Sequence, residues 1–169
     1  MKHLFLLTFI IVYIFFGLNI GYTAASPWWT HITYNFQHAN IMHLLLNSLS
    51  FYYMFRALEK FIKPRMIVSV SLIIAVGASF LCYYPHPVVG ASGVIYAMIG
   101  MYFAVIVNKW NRYKNNSNLL FFMASVGVFL SISLFKENSA GMLHLLCFIA
   151  GFMGQAISNR LKTHINKLL

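Results

Sequence analysis

Long runs of apolar residues, separated by short polar stretches, follow one another along the whole chain. Six of these runs are long enough, or nearly so, to cross a bilayer, which takes about 20 helical residues. We place the predicted spans at residues 4–22, 41–58, 66–84, 92–107, 119–135 and 141–159. This pattern predicts an all-α membrane protein, a six-helix transmembrane bundle that forms one domain over residues 1–169.

The composition agrees with a membrane protein and argues against a soluble one. Hydrophobic residues make up 60% of the chain and charged residues only 8%, whereas a soluble domain carries about 25% charged residues. The mean hydropathy is +0.74.

Basic residues give the predicted orientation. Eleven of the twelve lysines and arginines lie on one side of the predicted bundle, and only Lys136 lies on the other. The eleven are Lys2, Arg56, Lys60, Lys63, Arg65, Lys109, Arg112, Lys114, Arg160, Lys162 and Lys167. Because basic loops stay inside, we expect both termini in the cytoplasm and the protein to be integral to the cell membrane. We therefore interpret the net charge of +10 as a topology signal, and anionic lipid headgroups would attract these basic residues. We expect no nucleic-acid partner.

The first apolar run raises one alternative, a cleaved signal peptide. Lys2 precedes the run, and Thr23-Ala24-Ala25 resembles a small-residue cleavage site. The run of about 19 residues is longer than the roughly 7–15 residues of a signal-peptide core. We therefore favour a retained helix.

Acidic residues and cysteines restrict the chemistry. The chain has no Asp, and its acids are Glu59 and Glu137. That composition argues against carboxylate metal sites, paired-carboxylate catalysis and a Ser-His-Asp triad. Cys82 and Cys147 lie in or beside apolar runs, so we interpret them as packing residues.

A serine between small residues opens the fourth predicted span. Gly90, Ala91 and Gly93 surround Ser92 and leave room for a substrate or another backbone. A helix N-terminus offers free N–H groups, which could hold an oxyanion beside the Ser92 hydroxyl. The alternative is that the cluster only packs helices together in the membrane.

Two further helices carry polar residues at the same outer level. His43 and Asn47 are four residues apart on one helix face, which suits two donors to an oxyanion or, alternatively, hydrogen bonds between helices. His144 opens the sixth span, where Cys147, Gly151 and Gly154 would allow close helix contact. A serine needs a base within hydrogen-bond reach, and a Ser92–His144 dyad is what this composition allows. Tyr96, one turn after Ser92, could pack against the imidazole of His144.

The first outer loop holds Trp28 and Trp29, which could lie in the membrane interface or act as an ordinary aromatic anchor. For His38 we leave open a hydrogen bond within this loop or exposure to solvent. We expect no special role for His31 and His86.

With these residues in view, the chain resembles the rhomboid family of intramembrane serine proteases. The resemblance rests on His43-Leu-Leu-Leu-Asn47, on Gly90-Ala-Ser92-Gly93 with Tyr96, and on His144. Their order, in spans two, four and six, matches the rhomboid core, and the resemblance covers essentially the whole chain.

The resemblance implies a serine endopeptidase with Ser92 as nucleophile and His144 as general base. It implies an oxyanion site made by His43, Asn47 and the backbone N–H groups of Ser92 and Ala91. Substrates of the family are single-span membrane proteins, cut near the outer membrane boundary where their helix is unstable. No metal or organic cofactor is implied, and the oligomeric state stays open.

This chain departs from the family pattern at two positions. Thr30 follows Trp29 where many rhomboids have Trp-Arg, and Cys147 stands where a small residue, usually Gly, is typical. We expect a minimal six-helix form without an additional cytoplasmic domain.

Three competing functions are a catalytically inactive rhomboid-like protein that binds membrane clients, a haem carrier using His43 and His144, and a transporter. The inactive relatives typically lack the Ser or the His. The polar residues lie at the outer ends of the spans rather than at midspan, which disfavours a transporter.

Within the protease interpretation, span 119–135 and loop 136–140 are our candidates for a lateral gate, because the span offers no polar partner to other helices.

Overall fold

The computed structural model describes residues 1–16, 21–136 and 139–168, with the side chains of residues 163 and 166–168 excepted. Glu137, part of loop 136–140, part of the first predicted span and the side chain of Lys167 therefore lie outside the described residues. In the described part the chain is helical, and its β pairing is one isolated antiparallel bridge between Tyr22 and Val88.

Eight α-helices and one 3-10 turn form the described fold. Their bounds are α1 Lys2–Phe15, α2 Thr30–Thr33, the 3-10 turn Tyr34–Phe36, α3 Ile41–Leu58, α4 Pro64–Ser79, α5 Ser92–Asn108, α6 Trp110–Tyr113, α7 Ser117–Phe135 and α8 Gly141–Leu168. The starts of α3 and α7 are set by asparagine caps, because Asn40 accepts from the His43 N–H and Asn116 from the Leu119 N–H. Pro64 begins α4 at a position where its missing N–H costs nothing.

The helix α5 is the centre of the bundle. It packs against α3, α4 and α8, and most of its side chains are buried. α1 packs on α3 through aromatic rings, with Phe5 and Phe51 stacked at 4.9 Å between centroids. α7 packs mainly on α8 and is exposed along most of its length.

The tightest contact in the fold lies between α5 and α8. A methyl group at Gly100 would overlap the Phe148 carbonyl oxygen, and one at Gly151 would overlap the Ala97 carbonyl oxygen. The two backbones therefore touch, as the small residues of both helices predicted. The prediction is wrong for Gly154, because a methyl group there would meet no atom within 4 Å.

Two predicted spans are too long at their outer ends. The first was expected to reach Tyr22, but α1 ends at Phe15 and Tyr22 pairs its backbone with Val88, at N–O distances of 2.9 and 3.2 Å. The third was expected to reach Tyr84, but α4 ends at Ser79 and the chain turns there, with the Leu81 N–H bonded to the Ala78 carbonyl. Of the described residues beyond these ends, Tyr22 and Cys82 are buried in the outer loops, whereas Leu81 and Tyr83 are exposed.

The membrane assignment rests on fewer helices than the sequence pattern suggested. Among the described residues, Ser117–Phe135 and Gly141–Lys162 are long and apolar enough to cross a membrane. α1, α4 and α5 are apolar but shorter. α8 also continues beyond the expected end at residue 159.

We predict that Gly151→Ala destabilises the protein and Gly154→Ala does not. The added methyl group at residue 151 must push α8 away from Ala97, at a cost of about 1–3 kcal/mol. For a chain of this size that corresponds to a loss of roughly 2–12 °C in melting temperature. Thermal unfolding of both variants in one detergent measures the difference, and equal melting temperatures would contradict the close contact.

Candidate active site

Ser92 is the first residue of α5, and a sharp turn at Gly90 leads into it. Gly90 has φ of +114°, a conformation that other residues rarely adopt. A methyl group at Gly90 would also collide with the His43 ring and come within 3.1 Å of Asn47 Nδ2. The glycine thus brings the backbone before Ser92 directly against the two polar side chains of α3.

Tyr34 holds the turn at Gly90 in place. The Gly90 N–H donates to the Tyr34 carbonyl at 2.8 Å, and the Tyr34 hydroxyl donates to the Ala75 carbonyl at 3.0 Å. The Tyr34 hydroxyl also lies where a methyl group on Gly93 would come within 3.1 Å, so Gly93 must be small. Tyr34 is fully buried, and burial raises the pKa of its hydroxyl well above its ordinary value, which keeps it a neutral donor.

The structure brings Ser92 and His144 together. His144 Nε2 lies 2.8 Å from Ser92 Oγ, across the contact between α5 and α8. Tyr96 stacks on the imidazole, with centroids 4.6 Å apart and ring planes 25° from parallel. The Tyr84 hydroxyl accepts a hydrogen bond from the Leu143 N–H at 3.2 Å, which anchors the first turn of α8.

The other ring nitrogen of His144 is bonded to a residue that the sequence analysis did not single out. His144 Nδ1 lies 2.9 Å from Ser133 Oγ, and Ser133 Oγ lies 2.8 Å from Ser139 Oγ. The expectation that the fifth span has no polar partner on other helices is therefore wrong. A serine near the outer end of α7 was the available signal, but nothing in the sequence pairs it with His144.

His43 and Asn47 face the same space as Ser92. Asn47 is 7% exposed, and its Nδ2 has no hydrogen-bond partner among the described residues. His43, Asn47, Ser92 and His144 line a cavity of about 630 Å³ that extends along α5 between α3 and α7. An unpaired buried donor is costly, and here it points to a place where a substrate oxygen could bind.

A second cavity, of about 250 Å³, lies on the loop side of Ser92. His43, Ser92 and His144 line it together with His86, Val89 and Ala140, among others. His86, for which we expected no special role, thus lines this cavity. The two cavities meet at His43, Ser92 and His144, which line both of them.

The remaining histidines of the outer loops are packed into the fold. His31 Nδ1 lies 2.9 Å from Ser79 Oγ, and its ring stacks between Tyr22 and Phe80. His38 is 1% exposed and lies edge-on to Phe9 and His43, so the solvent-exposed alternative is wrong. Cys82 and Cys147 are buried and unpaired, as expected of packing residues.

Glu59 is bound elsewhere, since its carboxylate forms ion pairs with Lys2 and Arg56 at 3.1 Å. It belongs to the junction of α1 and α3 at the opposite end of α3 from His43.

Comparison with known proteins identifies the family of this chain. The model of the Rhomboid domain matches residues 25–160, which is more than half of the chain. The chain belongs to the rhomboid family. Rhomboid-family proteins are integral membrane proteins. The matched region includes the four polar residues of the larger cavity described above, His43, Asn47, Ser92 and His144.

Named relatives of this rhomboid include proteases. The chain is 29% identical over 142 residues to "Putative rhomboid protease YdcA" of Bacillus subtilis, covering 81% of this chain and 70% of that protein. It is 34% identical over 74 residues to Rhomboid protease GlpG of two Klebsiella pneumoniae strains, covering 43% of this chain and 27% of those proteins.

We predict that acid destabilises this rhomboid partly through His38. Burial, and then the neighbouring His43, lower the pKa of His38 from 6.5 to about 4. Above pH 6.5 the folded and unfolded states are both neutral at this residue; below it the unfolded state gains the proton first, so stability falls as pH drops towards 4. Once His38 is protonated in both states, the free energy of unfolding has fallen by about 3 kcal/mol.

Melting temperatures at pH 7.5 and 5.0 test this, using His38→Gln and the exposed control His164→Gln. The drop between the two pH values should be smaller in His38→Gln than in wild type and unchanged in His164→Gln. The same drop in all three proteins would show that His38 does not titrate in this way.

Proposed function

We propose that this rhomboid is an intramembrane serine endopeptidase that cuts single-span membrane proteins with a Ser92–His144 dyad. The observation that carries the proposal is the 2.8 Å contact between Ser92 Oγ and His144 Nε2, beside an unpaired buried donor on Asn47. The protease names of the relatives support the same reaction class.

The proposed reaction has two halves. His144 Nε2 takes the hydroxyl proton as Ser92 Oγ attacks a peptide carbonyl, and returns it to the leaving amine. A water that His144 deprotonates then attacks the acyl ester on Ser92; the bond to Ser92 Oγ breaks, His144 returns the proton to Oγ, and the carboxylic product leaves. In both halves the carbonyl oxygen becomes negative, and Asn47 Nδ2, His43 and the N–H groups of Ser92 and Ala91 donate to it.

The helix N-terminus strengthens this arrangement. Ser92 starts α5, and the first N–H groups of a helix have no carbonyl one turn earlier to bind. The positive end of the helix dipole favours the developing negative charge. Gly90 does not contribute its N–H, since that group is bonded to the Tyr34 carbonyl.

The lining of the two cavities supports separate paths for the peptide and for water. The larger is lined mainly by apolar side chains of α3, α5 and α7, among them Leu46, Ile95, Ile99 and Val126, and suits an unwound segment of a substrate helix. The smaller is lined by three histidines and opens from the loop layer, which suits water. Entry between α3 and α7 is favoured because α7 packs mainly on α8.

The proposal includes a membrane topology with six spanning helices. We place α1, α3, α4, α5, α7 and α8 across the cell membrane, with both termini in the cytoplasm and Ser92 near the extracytoplasmic face. The basic residues around the cytoplasmic loops support this orientation. The shorter helices fit if the loop layer around Tyr22 and Tyr34 lies at the depth of the outer headgroups.

The competing functions fit the site less well. The hydrogen bond between His144 and Ser92 favours a protease over a catalytically inactive client-binding protein, because client binding does not require a base beside the serine. Axial binding of haem iron requires a free ring nitrogen, and both nitrogens of His144 are bonded to serines.

We expect Ser92→Ala and His144→Ala each to abolish cleavage of a single-span substrate by the purified protein in liposomes. Removal of either member of such a dyad costs orders of magnitude in rate because the hydroxyl alone is a weak nucleophile. Both variants should fold, as circular dichroism and melting temperature can verify. Cleavage that persists in Ser92→Ala would disprove the proposal, and an inactive wild type on several substrates would favour client binding.

We expect Asn47→Ala to lower kcat about 100-fold or more with little change in KM, because its amide binds the transition state and not the ground state. Asn47→Asp removes the donor with almost no change in volume and should be at least as poor. Leu45→Ala, at an exposed position of the same helix that lines neither cavity, is the matched control. A purely structural role for Asn47 would instead lower the melting temperature and leave kcat near normal in Asn47→Asp.

A further inference from the structure

The base in the proposed dyad has a second hydrogen bond that holds its ring. His144 Nδ1 lies 2.9 Å from Ser133 Oγ on α7, and Ser139 Oγ lies 2.8 Å from Ser133 Oγ. Neither serine belongs to the residues on which the family resemblance rests. The sequence has no Asp, and Glu59, the acid among the described residues, is bound to Lys2 and Arg56.

The chemistry of a neutral imidazole fixes the direction of these bonds. One ring nitrogen carries the proton and the other accepts. For Nε2 to accept the proton of Ser92, Nδ1 must carry the hydrogen and donate it to Ser133 Oγ. The Ser133 hydroxyl hydrogen is then free to point to Ser139 Oγ, so both serines are satisfied in this tautomer.

Backbone packing holds Ser133 at this place. A methyl group at Gly141 would overlap the Ser133 carbonyl, so the first residue of α8 lies directly against the last turns of α7. His144 follows Gly141 by less than one turn. The distance between the Ser133 hydroxyl and the imidazole is therefore set by contact between two backbones as well as by the hydrogen bond.

We propose that Ser133, supported by Ser139, is the positioning residue for His144 and links the orientation of the base to the position of α7. The inference rests on the proposed protease function. A neutral hydroxyl here does what a third group does in other serine enzymes: it selects the tautomer, fixes the ring plane and stabilises the imidazolium that forms.

The link to α7 follows from the same bond. The opposite side of α7 borders the larger cavity through Phe122, Val126 and Phe129. A displacement of α7 by about one ångström takes a 2.9 Å hydrogen bond beyond bonding distance. The base is therefore fully oriented when α7 lies against α8, and an opened helix leaves it less well held.

Ser133→Ala, Ser133→Thr and Ser131→Ala test the inference. Ser131 is the matched control, because it lies on the same helix, is exposed and bonds its own helix at the Gly127 carbonyl, 2.9 Å away. The first readout is the rate at which a small fluorophosphonate labels Ser92, which needs the activated serine but not the entry of a long substrate. The second is kcat and KM for cleavage in liposomes.

We expect Ser133→Ala to lower the labelling rate and kcat about tenfold or more, with KM within twofold of wild type, since the lost bond is to a group that becomes charged. Ser133→Thr, which keeps the hydroxyl, should restore most of the rate. Ser131→Ala should behave as wild type.

Labelling and kcat of Ser133→Ala equal to those of Ser131→Ala would overturn the inference and leave the proposed function standing, provided that Ser92→Ala is not labelled. A loss in Ser133→Ala that Ser133→Thr does not restore, together with a lower melting temperature, would also overturn it, in favour of a packing role. Labelling that persists in Ser92→Ala would overturn the proposed function and this inference with it.

Discussion

Contact between the backbones of α5 and α8 is the constraint on which the rest of this structure depends. Gly100 and Gly151 let each helix touch a carbonyl oxygen of the other, so their spacing is fixed by atoms that cannot rotate away. Ser92 starts one of these helices and His144 lies in the first turn of the other. In lipid, where apolar side chains gain little by leaving the solvent, such packing is a main source of helix association. The same contact thus stabilises the bundle and sets the 2.8 Å distance in the candidate dyad.

The outer loops meet a second requirement of the site: they set the direction in which the backbone runs into Ser92. Tyr34 binds the Gly90 N–H through its carbonyl and α4 through its hydroxyl, and the bridge from Tyr22 to Val88 holds the strand-like segment before the turn. With φ of +114° at Gly90, this segment bends towards His43 and Asn47. Helix packing alone would not give that direction. The loop layer is therefore part of the site. Tyr22 and Tyr34 are buried in this layer, whereas Trp28 and Trp29 are exposed, at 68% and 41%.

The sequence predicted those features that depend on one segment at a time. The starts of α3 and α5 at Ile41 and Ser92 agree with the predicted spans, because caps and small residues mark them. Tyr22 and Tyr84 were wrongly placed in spans, because hydropathy cannot distinguish a residue facing lipid from one buried in a loop. Ser133 was missed for a related reason. Most serines in apolar helices bond a carbonyl of their own helix, as Ser71 and Ser125 do here, and only the packing of α7 on α8 gives Ser133 another partner.

A chain of neutral hydroxyl groups suits this position better than a carboxylate would. Moving a charged carboxylate into an apolar bundle costs several kcal/mol unless strong partners surround it. Among the described residues, the partners of His144 are Ser92, Ser133 and the ring of Tyr96. Hydroxyl groups donate and accept, so they can follow the imidazole as it gains and loses a proton without carrying a charge themselves. The cost is a weaker hold on the base than an ionised partner gives. Stacking by Tyr96 offsets part of that weakness, because it restricts the ring plane from the α5 side while Ser133 restricts it from α7. On the proposed function, the orientation of the base would then depend on three helices at once, and any movement that admits a substrate between α3 and α7 has to leave this arrangement able to re-form.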